Sequence, residues 1–303
     1  MAALAAMRLP ALEALLARLD LVHDDTQSDA TLSPPHERAH AEALGIGAAD
    51  GCIPWAALEA RRLGLPVAGE HDAWGVATLC HWQVGIDDVV LGDPSAIDID
   101  AGESAALLAT VRPFFEEDGI ALHPSSVPGR WLARGPVFEG LATASVDRAV
   151  GFPIAHWSPL TVAARPLRRL QNEMQMLLYT DRVNDERSAR GVLPINSFWL
   201  SGTGRLPQSA TSGDRSMPEP IVDATLRIAA LRDDGAAWAA AWQALDTGTL
   251  ADLLAASARG EAVALTLCGD RSAQRFGTVP RGLMRRARDL FRRASVQQTL
   301  EAL

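Results

Sequence analysis

Apolar residues recur at helical spacing through the opening stretch MAALAAMRLPALEALLARLDLV, interrupted by Arg8, Glu13 and Arg18, which predicts an amphipathic helix and not an export signal. The acidic stretch HDDTQSDATLSPP then reads as loop, and HERAHAEALG as a short helix from His36 to Gly45. DAWGVATLCHWQVG is strand-like from Trp74 to Trp82, and DDVVLGDPSAIDID reads as strand, turn at Asp93-Pro94, and a second short strand. A helix opens at Gly102 and Glu103 and ends before Pro113 or Gly119, followed by the strands GIALHPSS and GRWLARG around a Pro-Gly turn. Pro166 fits a first helical position, and Leu167, Leu170, Met174, Leu177 and Leu178 form one stripe behind it. A short helix runs from Asn184 as cap to Gly191 as stop, before Pro194 and the strand INSFWL. IVDATLRIAALRDD and GAAWAAAWQALD form a helical hairpin broken at Gly235, and Leu250 to Arg259 a helix stopped by Gly260. AVALTLC reads as a central strand covered on both faces, and RGLMRRARDLFRRAS as a last helix with Leu283, Ala287, Leu290 and Phe291 on one face.

Short strands alternating with helices predict a mixed α/β sheet. At 303 residues the chain is expected to be a single α/β domain over 1–303, with an N-terminal helix and loop (1–35) and two α/β parts (36–160 and 161–303). A net charge of −9 argues against nucleic acid as partner, and no apolar run escapes proline and histidine for long enough to span a membrane. The expectation is a soluble cytoplasmic protein. All 28 basic residues are arginine, which excludes a phosphate-loop lysine, a Schiff base and a lysine general base. Arginine can still clamp anions. Cys52, Cys80 and Cys268 are too few and too scattered for a disulfide framework or a structural zinc site.

The segment LPINSFWLSGTGRLP carries the strongest candidate chemistry. Its L-S-G-T-G order does not fit a nucleophile elbow, and Gly202 and Gly204 supply only half of a dinucleotide fingerprint. What remains is a glycine turn in which Ser201, Thr203 and Arg205 could hold an anion, or a bend that merely needs a positive φ. His36 and His40 satisfy H-E-x-x-H formally, but no third ligand is near in sequence and the segment reads as a solvated helix start. In Cys80-His81-Trp82 neighbouring side chains of a strand point to opposite faces, so Cys80 is read as buried and His81 as lying at a cleft edge. Asn172, Gln175 and Tyr179 lie off the leucine stripe and are read as facing a cleft. The arginine-rich last helix is a solvated face or a contact for an acidic partner.

RLQNEMQMLLYTDRVNDERSARGVLPINSFWLSGTG, with CHWQVG upstream and LTLCGDR downstream, resembles the RpfE-type regulatory proteins over roughly residues 36–300. More distantly, the order Asn184, Arg187, Gly191, Pro194, Asn196, Trp199, Gly202, Gly204, Pro207 is similar to a segment of the archaeal-type cofactor-independent phosphoglycerate mutases. Leu245-Asp246 and an apolar strand ending at Gly269-Asp270 look like that family's last core strand. The resemblance implies an alkaline-phosphatase-like fold in a reduced form: three α/β/α layers around a mixed, mostly parallel sheet. Family members use a serine nucleophile and two divalent metals on Asp and His ligands. This chain departs from them in having no Asp-Gly pair in residues 1–35 and Arg271 after Asp270. Arginine does not ligate a metal.

The expectation is therefore a regulatory or metabolite-binding protein without a metal centre or cofactor. Its anionic ligand would lie on Asn184, Arg187, Asn196, Trp199, Ser201, Thr203 and Arg205, with His81 and Asn172 nearby. The alternatives are a working mutase-like phosphotransfer enzyme, and a protein–protein adaptor acting through the last helix.

Overall fold

The computed structural model describes residues 7–67, 69, 72–207, 219–279 and 295–303. They form two compact units: one of Met1–Asp29, Pro35–His40 and Glu219–Leu303, the other of Ala30–Pro34 and Ala41–Pro218. No helix among the described residues is long and apolar enough to cross a membrane.

The chain opens with helix α1 (Pro10–Arg18), strand β1 (Asp20–Thr26) and helix α2 (Pro35–Ala43). Proline sits at the start of α1, where its missing N–H costs nothing. β1 takes Asp20–Val22 from the end of the expected first helix and only His23–Thr26 from the acidic stretch expected to be loop, because β9 supplies the ladder that their own sequence does not advertise.

The larger unit continues with α3 (Trp55–Arg62), β2 (Trp74–Cys80), the hairpin β3 (Trp82–Val84) and β4 (Val89–Leu91), and α4 (Ala101–Glu117). No second strand follows β4; a single 3₁₀ turn at Pro94–Ala96 leads into the α4 cap. There Asp100 and Glu103 form a reciprocal capping box. α4 runs on through Pro113, which lies on its exposed face where water can satisfy the freed carbonyl. Next come β5 (Ala121–Pro124), β6 (Arg130–Arg134), α5 (Arg165–Tyr179), α6 (Arg182–Ala189) and β7 (Ser197–Gly204). Leu167, Leu170, Met174 and Leu178 are the buried stripe of α5, as the spacing predicts. α6 is capped by Asp181, and Asn184 lies inside it.

The sheet of this unit has the order β5-β6-β2-β7, and every pairing in it is antiparallel. The mostly parallel sheet expected from the family resemblance is thus corrected. Parallel neighbours need long crossovers, whereas β5 turns into β6 through Pro128-Gly129 and β3 into β4 through a tight hairpin. Alternation along β2 sends Ala77 and Leu79 to the face covered by α4 and α5, and Trp74 and Val76 to the face covered by α3. This unit is therefore layered helix–sheet–helix.

The remaining elements return to the first unit: α7 (Thr225–Leu231), α8 (Gly235–Thr247), α9 (Thr249–Ala258), β8 (Ala264–Cys268), β9 (Ser272–Gly277) and α10 (Val296–Ala302). The α7–α8 break falls at Asp233, whose φ is +51°, and Asp234 caps α8. Leu12, Leu15, Trp242, Leu250, Leu267 and Phe276 centre its core. Its sheet, ordered β1-β9-β8, is also antiparallel. The apolar run AVALTLC is an edge strand with Ala264, Thr266 and Cys268 exposed, not the doubly covered centre that its composition suggests. The arginine-rich last helix lies outside the described residues.

Candidate functional site

The S-G-T-G stretch is not a turn that ends the strand. It is the second half of β7, and it bulges. Ser201 pairs with Val76 and Gly204 with Trp74, so Gly202 and Thr203 together oppose the single Gly75. Gly202 has φ +62°, the left-handed conformation of a glycine-led bulge. The extra residue switches β7 from one sheet face to the other. Ser201 keeps the face of Val76, while Thr203 turns to the opposite face beside Leu141 and Thr143. Both glycines also admit the start of α3. A Cβ on Gly202 would meet Trp55 Cβ at 3.0 Å, and one on Gly204 the Cys52 carbonyl at 3.0 Å. The hydroxyl of Thr203, fully buried, reaches the Leu141 carbonyl at 2.5 Å and Thr143 Oγ1 at 2.9 Å.

Upstream, the candidate residues converge on one short piece of backbone, Leu193–Asn196. Arg187 Nε donates to the Leu193 carbonyl at 2.8 Å, His81 Nδ1 to the Pro194 carbonyl at 2.8 Å, and Asn184 Nδ2 to the Ile195 carbonyl at 2.7 Å. Asn184 also donates to the Leu178 carbonyl and accepts from Ile195 N, each at 2.7 Å, so both its N–H donors and its oxygen are engaged. Asn196 then imitates a strand partner, accepting from Trp82 N at 2.7 Å and donating to the Trp82 carbonyl at 2.9 Å. Three successive carbonyls are thus held by side chains from α6 and from the β2–β3 junction, and the Asn196 side chain after them holds the backbone of Trp82.

Arg187 is 1% exposed and does more than grip Leu193. Its Nη1 donates to the Asp98 carbonyl at 2.8 Å and to Glu103 Oε2 at 2.6 Å. Glu103 is shared with Arg190 and with the α4 capping box. The guanidinium therefore ties α6, the α4 start and the β7 entry together. Sequence reading noticed Glu103 only as the start of a helix. The D-x-x-E spacing from Asp100 was the available signal for its cap, and nothing local announced the arginine it would meet.

The other candidates lie apart from this clamp. Trp199 is buried and donates Nε1 to the Ala144 carbonyl at 3.0 Å. Arg205 pairs with Glu139 at 2.8 Å. Asn172 is exposed on α5; it is Gln171, not singled out from sequence, that turns inward, to the Phe198 carbonyl at 3.2 Å. Tyr179 is likewise exposed. Cys80 is buried as expected, and burial pushes its thiol far above the ordinary range, so it is not a nucleophile. The Pro194 carbonyl can only accept, which fixes the proton of His81 on Nδ1 in the neutral ring and leaves Nε2 as an acceptor. Ser201 is half-buried on the α3 face, and no hydrogen bond of its hydroxyl is found among the described residues. Ser201 Oγ and His81 Nε2 thus have no hydrogen bond among the described residues, and neither does the buried Ser197 Oγ at the start of β7.

On β5, burial and the nearby Arg134 and Arg112 hold His123 below the usual histidine range. Its ring lies 5.4 Å from that of Trp74. Among the described residues no three His, Cys, Asp or Glu side chains come together to hold a metal ion. In the smaller unit, Asp246 spends its carboxylate on the N–H groups of Leu12 (2.8 Å) and Ala11 (3.2 Å) at the start of α1. Asp270 and Arg271 lie in the β8–β9 turn.

No family model matches the chain, and no curated protein matches it. Among solved structures it is similar to the cofactor-independent phosphoglycerate mutase of Thermoplasma acidophilum, at 16% identity and a TM-score of 0.40, over 90% of this chain and 83% of that one. It is also similar to the PH0037 protein of Pyrococcus horikoshii, at 13% identity and a TM-score of 0.45, over 91% of this chain and 81% of that one. At such identities and scores neither likeness carries an activity or a residue role to this chain.

Proposed function

We propose that this chain is a cytoplasmic regulatory or metabolite-binding protein, of the RpfE type that its sequence resembles, on a phosphoglycerate-mutase-like scaffold that no longer transfers phosphoryl groups. One observation carries the reading: Asn184, Arg187, Asn196 and Thr203 aim their polar atoms at the chain's own backbone. A guanidinium whose Nε and Nη1 are spent on two carbonyls and a carboxylate offers a substrate phosphate only Nη2, not a two-nitrogen fork. Arg271, which cannot ligate a metal, stands beside Asp270 where the resemblance implies a ligand, which supports the loss of a two-metal centre. An anionic metabolite, phosphorylated or carboxylated, would then be read at the bulge by Ser201, with Arg205, paired with Glu139, as the cation; His81, five residues along the chain from the Val76 that faces Ser201, lies outside that site.

The test is turnover. With manganese supplied, the protein is expected to hydrolyse or isomerise neither phosphoglycerate nor a generic phosphate ester, and metal-dependent turnover would overturn the proposal. A thermal-shift screen of anionic metabolites is expected to find a stabilising ligand, since binding only the folded state raises stability by mass action. That shift is expected to disappear in Ser201→Ala and Arg205→Ala.

A further inference from the structure

Among the described residues, three of the four edges of the two larger sheets are guarded. β1 carries Asp20, His23, Asp24 and Asp25; β5 is four residues long and ends at Pro124; on β7 the Phe198 carbonyl is capped by Gln171. β8, Ala-Leu-Thr-Leu-Cys, has neither charge nor proline. Its ladder phase shows what it presents. Thr278 N donates to the Val263 carbonyl and Gly269 N to the Ser272 carbonyl, so residues 263, 265, 267 and 269 turn their backbone groups to β9. The N–H and C=O groups of Ala264, Thr266 and Cys268 therefore point away from the sheet, and these are the three exposed residues of the strand.

Three outward residues centred on Thr266 are self-complementary. Antiparallel pairing about a two-fold axis at Thr266 sets Thr266 against its own mate and Ala264 against Cys268 of the second copy, making about six backbone hydrogen bonds. Beyond the ladder itself, Glu261, which pairs with Arg259 of its own chain at 2.6 Å, and Arg271, in the β8–β9 turn, come to the same two ends of the paired segment. Arg271 is exposed and has no ion pair among the described residues. The β1 edge would instead set aspartates against aspartates.

We propose that a second copy of this chain docks on β8, joining the two β1-β9-β8 sheets into one continuous sheet. A five-residue edge buries far less than the roughly 1,200–2,000 Å² of a stable interface, so the dimer is weak and concentration-dependent. The two Cys268 thiols lie at opposite ends of the paired segment, so no disulfide contributes.

Sedimentation or light scattering over a concentration series tests this on the full chain. The wild type is expected to move from monomer toward dimer mass, with or without reductant. Thr266→Glu leaves a partner for the new carboxylate in Arg275 on β9 but opposes two carboxylates across the axis; it is expected to weaken association at least tenfold, with unfolding unchanged. Independently, Arg271→Glu should weaken the dimer and Glu261→Arg in the same chain should restore it. Amides of Ala264, Thr266 and Cys268 should gain hydrogen-exchange protection with concentration. A wild type monomeric throughout, a reductant-sensitive dimer, or a Thr266→Glu protein and a charge-swap pair that both associate like wild type would each overturn the proposal.

Discussion

Replacing Arg187 by methionine separates a structural guanidinium from a ligand-binding one. Methionine fills the volume of the aliphatic stem but removes the donors to Leu193, Asp98 and Glu103. Glu103 keeps Arg190 and its capping bonds, so the carboxylate is not wholly stranded. Removing one partner of a buried ion pair costs about 3–5 kcal/mol, and that range is expected here because the two carbonyls are orphaned at the same time. Against a typical stability of about 5–15 kcal/mol, the loss is a large fraction. The assay is urea unfolding of the ligand-free protein, followed by the fluorescence of Trp131 and Trp199, which are buried in the same unit. With a slope of about 1–3 kcal/mol per molar urea, the midpoint should fall by roughly 2 M. A variant that unfolds like wild type without ligand, yet loses the ligand-induced thermal shift, would refute the strut and make Arg187 an anion clamp.

Three further outcomes follow from the same geometry. Gly202→Ala forces a Cβ into a left-handed position against Trp55 and should cost about 2–3 kcal/mol in chemical denaturation. Thr203→Val keeps the shape but strands the Leu141 carbonyl and should cost about 1–3 kcal/mol, whereas Ser201→Ala on the same strand should stay within about 0.5 kcal/mol when no ligand is present. Because the folded protein holds the pKa of His123 below its unfolded value of about 6.5, the unfolded state binds more protons between those two values. Stability should thus fall as pH drops through about 6.5, and His123→Gln should remove that part of the slope; an unchanged slope would acquit His123.

Where side-chain period decided structure, the sequence was readable. The α5 stripe, the β5–β6 turn and the glycine stop at Gly260 all appear at the positions that their residues indicate. Pairing partners were not readable: nothing in DLVHDDT announces a strand until β9 lies beside it, and AVALTLC has a central composition but an edge position. The S-G-T-G stretch failed for a more instructive reason. Glycine with a positive φ was foreseen, but a local pattern does not distinguish a bend that ends a strand from a bulge that continues it. The polar residues before it, grouped from sequence as ligand contacts, meet one another at the backbone of residues 193–196, an object that no local pattern announces.

That carbonyl clamp bears on how kinship between proteins is judged. Polar residues grouped in a motif are commonly taken as evidence of retained chemistry, since an active site is the usual reason for side chains to vary little. Here the same residues are held by the need to enter β7 in one register, so the string they form marks how a strand is entered and not which reaction a fold carries.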